Sequence, residues 1–297
     1  MKLNQIVCFG EVLWDLFPEG KQIGGAPFNV ACSFHGLGTP VHFISRIGKD
    51  ALGQSVLTEI NGREMSTEFI QLDEQYETGK VEVVLDQKGV ATYKIAAPAA
   101  WDFIEASPEM IQLVQESSAF VFGSLITRSV SYDALKACLK KAPFSVFDLN
   151  LRPPFYRIEI LEKLMHSSHM LKFNDEELYF IAEEMRSPFN GMNQHIEYIA
   201  EKTNTECICV TKGMFGAVLY YHGQWFYNSG FKVEVVDTVG AGDSFLATLV
   251  SGLVNKENTQ QVLDKACSMG AMVAASQGAN PTITKEDLNN FMNPKKK

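Results

Sequence analysis

The sequence predicts an α/β fold: a mostly parallel central sheet flanked by helices, with a small discontinuous β-sheet beside it. Three observations carry this. Short apolar runs alternate with helix-like segments through most of the 297 residues, the pattern of βαβ units. One stretch, 79–96, instead alternates with period two about a turn. Most polar, glycine-bearing segments follow the apolar runs, where open α/β sheets bind their ligands.

Strands are predicted at residues 6–9, 119–122, 145–148, 169–173 and 207–211. Each is an apolar run of a length suited to a buried strand. Helices are predicted at 131–141, 158–165, 176–185, 196–202, 244–254, 260–275 and 285–291. Residues 79–85 and 90–96 read as a hairpin around 86–89. Pro153 and Pro154 mark a loop near 150. No linker interrupts the chain, so one domain over 1–297 is expected, with a lid formed by about 11–22 and 79–103.

Hydrophobic residues make up 46% and charged residues 21% of the chain, enough for a sizeable core. No apolar run reaches the roughly 20 residues of a membrane helix, and the first residues lack the apolar core of a secretory signal. A cytoplasmic protein without membrane contact is expected. Six scattered cysteines with no CxxC read as buried thiols of a reducing compartment; Cys207 and Cys209 are assigned to opposite faces of a strand. The net charge of −9 weighs against nucleic acid as a partner. The tail Lys295, Lys296 and Lys297 reads as a solvated end. No P-loop motif, no GxGxxG and no zinc-ligand spacing occur, and the six histidines stand isolated.

The most informative run is Asp237-Thr238-Val239-Gly240-Ala241-Gly242-Asp243-Ser244-Phe245. Small residues give a tight turn opening a helix, whose N–H groups suit an oxyanion or phosphate. Asp243 falls in the first helical turn, where it can take or orient a proton from a hydroxyl. A helix-capping Asp on a glycine loop is the plainer reading of GAGD alone. Gly24-Gly25-Ala26-Pro27-Phe28-Asn29 pairs glycines with a side chain offering donor and acceptor to a polyol; a turn with a capping Asn is the alternative. Asp15 can accept bonds from adjacent hydroxyls. If the strand before it continues, Asp148, Asn150 and Arg152 point the same way, and Arg152 either stabilises anionic charge or pairs with Asp148. Asn174 and Glu177 have capping-box spacing. The turn Thr211-Lys212-Gly213-Met214-Phe215-Gly216 follows a strand, with Lys212 either on phosphate or solvated. A small-residue helix ends at Ala275 before Gly278.

The GAGD run and the Gly24–Asn29 segment, over 200 residues apart, together resemble the two motifs of the PfkB, or ribokinase, family of carbohydrate kinases. Gly48 keeps the spacing of the first motif, while Thr248 departs from the small residue usual after the second. The resemblance spans Gly10 to Gly278 and implies a ribokinase-like fold and an ATP-dependent sugar kinase. It implies that Asp243 is the base, that Gly240, Ala241 and Gly242 supply the anion hole and that Arg152 stabilises transferred charge. The sugar site would take Asp15, Gly24, Gly25, Asn29, Trp101 and Asp243. The nucleotide would meet Lys172, Asn174, Thr211, Lys212, Gly213, Gly216, Gly240, Gly242, Ala275 and Gly278. Mg²⁺ would be placed by Glu177 through water, and a monovalent cation such as K⁺ by Asp237.

The stretch Gly-Glu-Val-Leu-Trp-Asp-Leu-Phe-Pro, with Gly-Gly-Ala-Pro-Phe-Asn, is most similar to the fructokinase branch and implies D-fructose as acceptor. A 2-keto-3-deoxygluconate kinase, using Lys94 or Arg152 for the substrate carboxylate, is an alternative. So is a ribose or nucleoside kinase, with Trp101 and Phe103 on a base. A non-catalytic sugar sensor is a third, which an intact Asp243 and GAG disfavour. Family members of this kind also imply a homodimer paired through the lid. A helix N-terminus changes a carboxylate by under one pKa unit, so Asp243 is expected near its ordinary value and ionised.

Overall fold

The computed structural model describes residues 4–17, 20–85 and 91–293; the hairpin tip and the lysine tail lie outside them. Nine strands form the large sheet. In chain order they are β1 (Ile6–Phe9), β4 (Val41–Gly48), β5 (Ile70–Asp73), β8 (Ala119–Gly123), β9 (Ser145–Asp148), β10 (Met170–Asn174), β11 (Cys207–Thr211), β12 (Ala217–Tyr221) and β13 (Gln224–Asn228). Four others, β2 (Leu13–Phe17), β3 (Gly20–Gly24), β6 (Gly79–Leu85) and β7 (Ala91–Ile95), form a separate sheet ordered β3-β2-β6-β7.

The large sheet runs β13-β12-β11-β10-β9-β8-β1-β4-β5. It is parallel from β5 to β11 and antiparallel at β12 and β13. The chain leaves β1 to β4 on one side and later returns to β8 on the other. β1 is therefore the switch point, where open α/β sheets form their ligand crevice.

Ten helices among the described residues cover the sheets: α1 (Ala26–Gly36), α2 (Ala51–Gly62), α3 (Pro108–Glu116), α4 (Ser131–Leu139), α5 (Ile158–His166), α6 (Asp175–Glu184), α7 (Met192–Thr203), α8 (Ala241–Val254), α9 (Thr259–Ala274) and α10 (Lys285–Met292). Period-two alternation splits the core across the large sheet. Ile6 and Cys8 face α1, α8 and α9; Val7 and Phe9 face the layer of α3 to α7. Such two-sided burial explains why these strands read as unbroken apolar runs.

Cys207 and Cys209 share a face, contrary to the sequence assignment. Residues two apart in a strand point the same way, and both pack into the α8–α9 side while Ile208 and Val210 pack into the other. All six thiols are buried and unpaired. Thr248 fits the α8 core by turning its hydroxyl back to the Ser244 carbonyl at 2.8 Å. No helix among the described residues is long and apolar enough to cross a membrane.

Candidate active site

The parallel strands deliver their polar followers to one edge: Glu11 beyond β1, Asp148 at the end of β9, Asn174 at the end of β10, Thr211 at the end of β11. The turn before α8 meets this edge. Gly240 caps α8 in a left-handed conformation, φ 77°, and a Cβ there would collide with the Ala279 carbonyl. Only glycine combines that conformation with that approach. Ala241 N–H donates to the Thr238 carbonyl at 3.3 Å, so it is not the free anion donor the sequence predicted. The N–H groups of Gly240 and Gly242 make no hydrogen bond among the described residues, and first-turn amides lack helical acceptors in any case.

Asp243 stands in the first turn of α8. Asn29 Nδ2 donates to its Oδ2 at 2.9 Å, and Asn280 Nδ2 donates to Asn29 Oδ1 at 2.9 Å. Asn29 is buried within the first turn of α1, whose cap is Gly25; it is not a capping residue. Asp243 does not keep its ordinary pKa. Burial, reinforced by the charge of Asp148, pushes it up to about 6, against the Asn29 hydrogen bond and the charges of Lys172 and Arg152. At pH 7 it is still about nine-tenths ionised.

Lys172 Nζ donates to Asp148 Oδ1 at 3.0 Å, and both side chains are almost fully buried. Burial opposes the lysine's charge, yet Asp148, Glu177 and Asp243 together raise its pKa. The ammonium lies 3.6 Å from where a Cβ on Gly242 would stand, so a fixed cation adjoins the turn that opens α8. Arg152 does not pair with Asp148. Asn150 has φ 38°, which ends the strand-like geometry, and Arg152 is exposed, its guanidinium donating to the adjacent Leu151 carbonyl at 3.0 Å. Its charge nonetheless reaches Asp243 and Glu11.

Asn174 caps α6 in a full capping box with Glu177. The second Glu177 oxygen accepts Leu151 N–H at 2.7 Å. With both oxygens committed to backbone, Glu177 suits an indirect position near a metal rather than direct ligation. No group of three or more His, Cys, Asp or Glu among the described residues is arranged to hold a metal ion. Asp237 accepts from Val239 N–H at 3.0 Å and Gly278 N–H at 3.2 Å, tying the turn to the loop after α9.

On the opposite side, Asp15 and Trp14 point to opposite faces of β2. Trp14 Nε1 bonds the Leu52 carbonyl at 3.0 Å. Asp15 Oδ2 lies 2.6 Å from where a Cβ on Gly24 would stand, so Gly24 makes room for this carboxylate. Burial raises Asp15 to about 6. The Gly25 side faces the Glu11 backbone. Trp101, predicted on the sugar, has no exposed surface; it packs beneath Gly79 and against the Arg128 guanidinium. Phe103, the other candidate for stacking on a base, stacks on Tyr76.

The turn after β11 presents Gly213 and Gly216, both at positive φ. Thr211 bends its hydroxyl to the Phe173 carbonyl at 3.3 Å, and the Lys212 charge is felt at Cys267 on α9. Met214 and Phe215 here, and Val236 and Val239 before α8, are exposed apolar side chains that pattern reading passed over. Glu11 was also missed. It is buried, its Oε1 accepts Ala26 N–H at 3.3 Å, and its Oε2 has no partner among the described residues. Burial lifts it to about 7. A carboxylate directly after a buried strand was the available signal.

Residues 5–286 match the pfkB family carbohydrate kinase model, and the chain belongs to that family. It is therefore a carbohydrate kinase, a phosphotransferase. It is 26% identical to a fructokinase of Salmonella typhimurium, over 96% of this chain and 98% of that protein. It is 27% identical to a fructokinase of Escherichia coli, over 93% and 94%. A solved fructokinase of Vibrio cholerae O395, bound to fructose, ADP and calcium, superposes with a TM-score of 0.84 at 21% identity over 98% and 100% of the chains. A ribokinase of Arabidopsis thaliana, bound to ribose and ATP, gives 0.83 at 20% identity over 99% of each. These likenesses fix a ribokinase-like fold.

Proposed function

We propose that this kinase transfers the γ-phosphate of ATP to a hydroxyl of D-fructose. One observation carries the reading: Asp15 lies over Gly24, and the helix that begins two residues after Gly24 carries Asn29, which bonds Asp243. These hydrogen-bonding groups suit a neutral polyol. Relatives named fructokinase, matched over nearly their whole length, support the same acceptor.

The transition state is loose, so positioning and charge stabilisation supply most of the acceleration. Asp243 orients the attacking hydroxyl and receives its proton. The N–H groups of Gly240 and Gly242, with Lys172 beside them, hold charge on the transferred group; Arg152 is free to swing onto it. Mg²⁺ would enter with the nucleotide, with Glu177 the residue facing it through water, and would supply charge neutralisation of the donor phosphates. Asp237 would set a loop for K⁺. Met214, Phe215, Val236 and Val239 would flank the base. Residues 11–22 and 79–103 act as a lid on one domain, and the β3 or β7 edge pairs two copies.

Coupled ADP release over a sugar panel tests this. The expected kcat/KM is highest for fructose, above ribose, adenosine, 2-keto-3-deoxygluconate and fructose 6-phosphate. A tenfold preference for any of those overturns the acceptor assignment.

A further inference from the structure

The loop after α9 touches both the turn before α8 and the first turn of α1. Its Ala279 carbonyl fills the space beside Gly240, and its Asn280 reaches Asn29. No role for Asn280 follows from the motifs. We propose that Asn280 is a positioning residue for the base: it locks the Asn29 amide so that Nδ2, not Oδ1, faces Asp243. This rests on Asp243 being the base.

A primary amide has a donor end and an acceptor end of nearly the same shape, so hydrogen bonds alone choose its orientation. The Asn29 side chain makes two, one at each end: Oδ1 accepts from Asn280 and Nδ2 donates to Asp243. Remove the Asn280 donor and nothing among the described residues holds Oδ1. A flipped Asn29 would then offer an acceptor to Asp243, which repels the carboxylate and suits the protonated acid. Asn280 thereby keeps the base ionised and its proton-accepting oxygens available.

The other charges around Asp243 come from different elements: Asp148 on β9, Lys172 on β10, Arg152 after β9 and Glu11 after β1. Asn280 hydrogen-bonds none of them. Its replacement therefore acts through Asn29.

The test is the titration of the Asp243 carboxyl by ¹³C NMR, assigned with Asp243→Asn, beside the pH profile of kcat/KM for the sugar used best. Asn280→Leu, similar in size but without a donor, should raise the midpoint by about one unit. Activity should then fall about fivefold at pH 6 and little at pH 8.5. Asn280→Asp should shift it further, by adding an acceptor and a negative charge. In an Asn29→Ala background Asn280→Leu should no longer move the midpoint. An unmoved midpoint, or a loss equal at all pH values, overturns the proposal. The NMR titration requires no turnover. A wild type that phosphorylates no sugar but shows the shift would refute the kinase reading of this site and leave the relay standing.

Discussion

At Asp243 two effects oppose each other. The N-terminus of α8 favours the charged form by about 0.3–1 kcal/mol. Burial and Asp148 favour the acid, and they win, lifting the group to about 6. The result is a stronger base than an exposed aspartate, still mostly ionised at neutral pH. Asp243→Asn should lower turnover by about 10²–10⁴ while calorimetry still detects ATP and sugar binding; turnover within tenfold of wild type would remove it as the base. Glu11 makes the same physics visible in stability. Its folded pKa, about 7, lies above the ordinary 4.5, so the folded state retains a proton that the unfolded chain has lost. Stability from this group is therefore full below about pH 4.5 and declines as pH rises to 7, by on the order of 3 kcal/mol. Glu11→Gln does not titrate. Its melting temperature relative to wild type should rise by several degrees between pH 5 and pH 8; a constant difference would show that Glu11 is not held protonated.

At the scale of elements, β2 shows how a strand builds a site. Period two places Trp14 against α2 and Asp15 over Gly24. Asp15→Ala should raise the sugar KM far more than the ATP KM. Gly24→Ala keeps the carboxylate but displaces it, because the new Cβ would fall 2.6 Å from Oδ2; it should raise the sugar KM selectively too. Equal rises for both substrates would move Asp15 out of the sugar site. β2 also marks the limit of legibility. The fully buried strands β1, β8, β9, β10 and β11 are read within a residue or so, because two-sided burial leaves an unbroken apolar run. β4 was missed because His42, Ser45 and Arg46 interrupt its run, and β12 and β13 because their antiparallel edge mixes Tyr, Trp and Gln. The contiguous motifs were legible. Asn280 and the Lys172–Asp148 pair were not, since each acquires meaning from a contact between distant segments. Of the two readings open for Arg152, pairing with Asp148 fails because the left-handed turn at Asn150, which leaves no period-two trace, breaks the strand-like geometry.

At the scale of the molecule, the two sheets are joined at a fixed base. Arg128 holds Asp102 with two contacts of 2.6 Å and the Ala96 carbonyl at 2.9 Å, while its guanidinium lies over Trp101. Trp101 in turn leaves no room for a side chain at Gly79, the first residue of β6. The foot of the β6–β7 hairpin is thus clamped by buried groups, and the strands beyond it extend away from the clamp. We propose that this foot carries the small sheet as a cover over the acceptor site. Covering the site matters because water competes with the sugar hydroxyl for the transferred phosphoryl group. Shortening the hairpin beyond residue 82, with the clamp intact, should leave the fold cooperative and the ATP KM little changed. It should raise ATP hydrolysis relative to sugar phosphorylation, measured as ADP released per sugar phosphate formed. Trp14→Phe, which removes the indole bond to Leu52 and puts a smaller ring in the same buried place, should move this ratio the same way by less. A ratio unchanged in both variants would show that the small sheet does not close over the site.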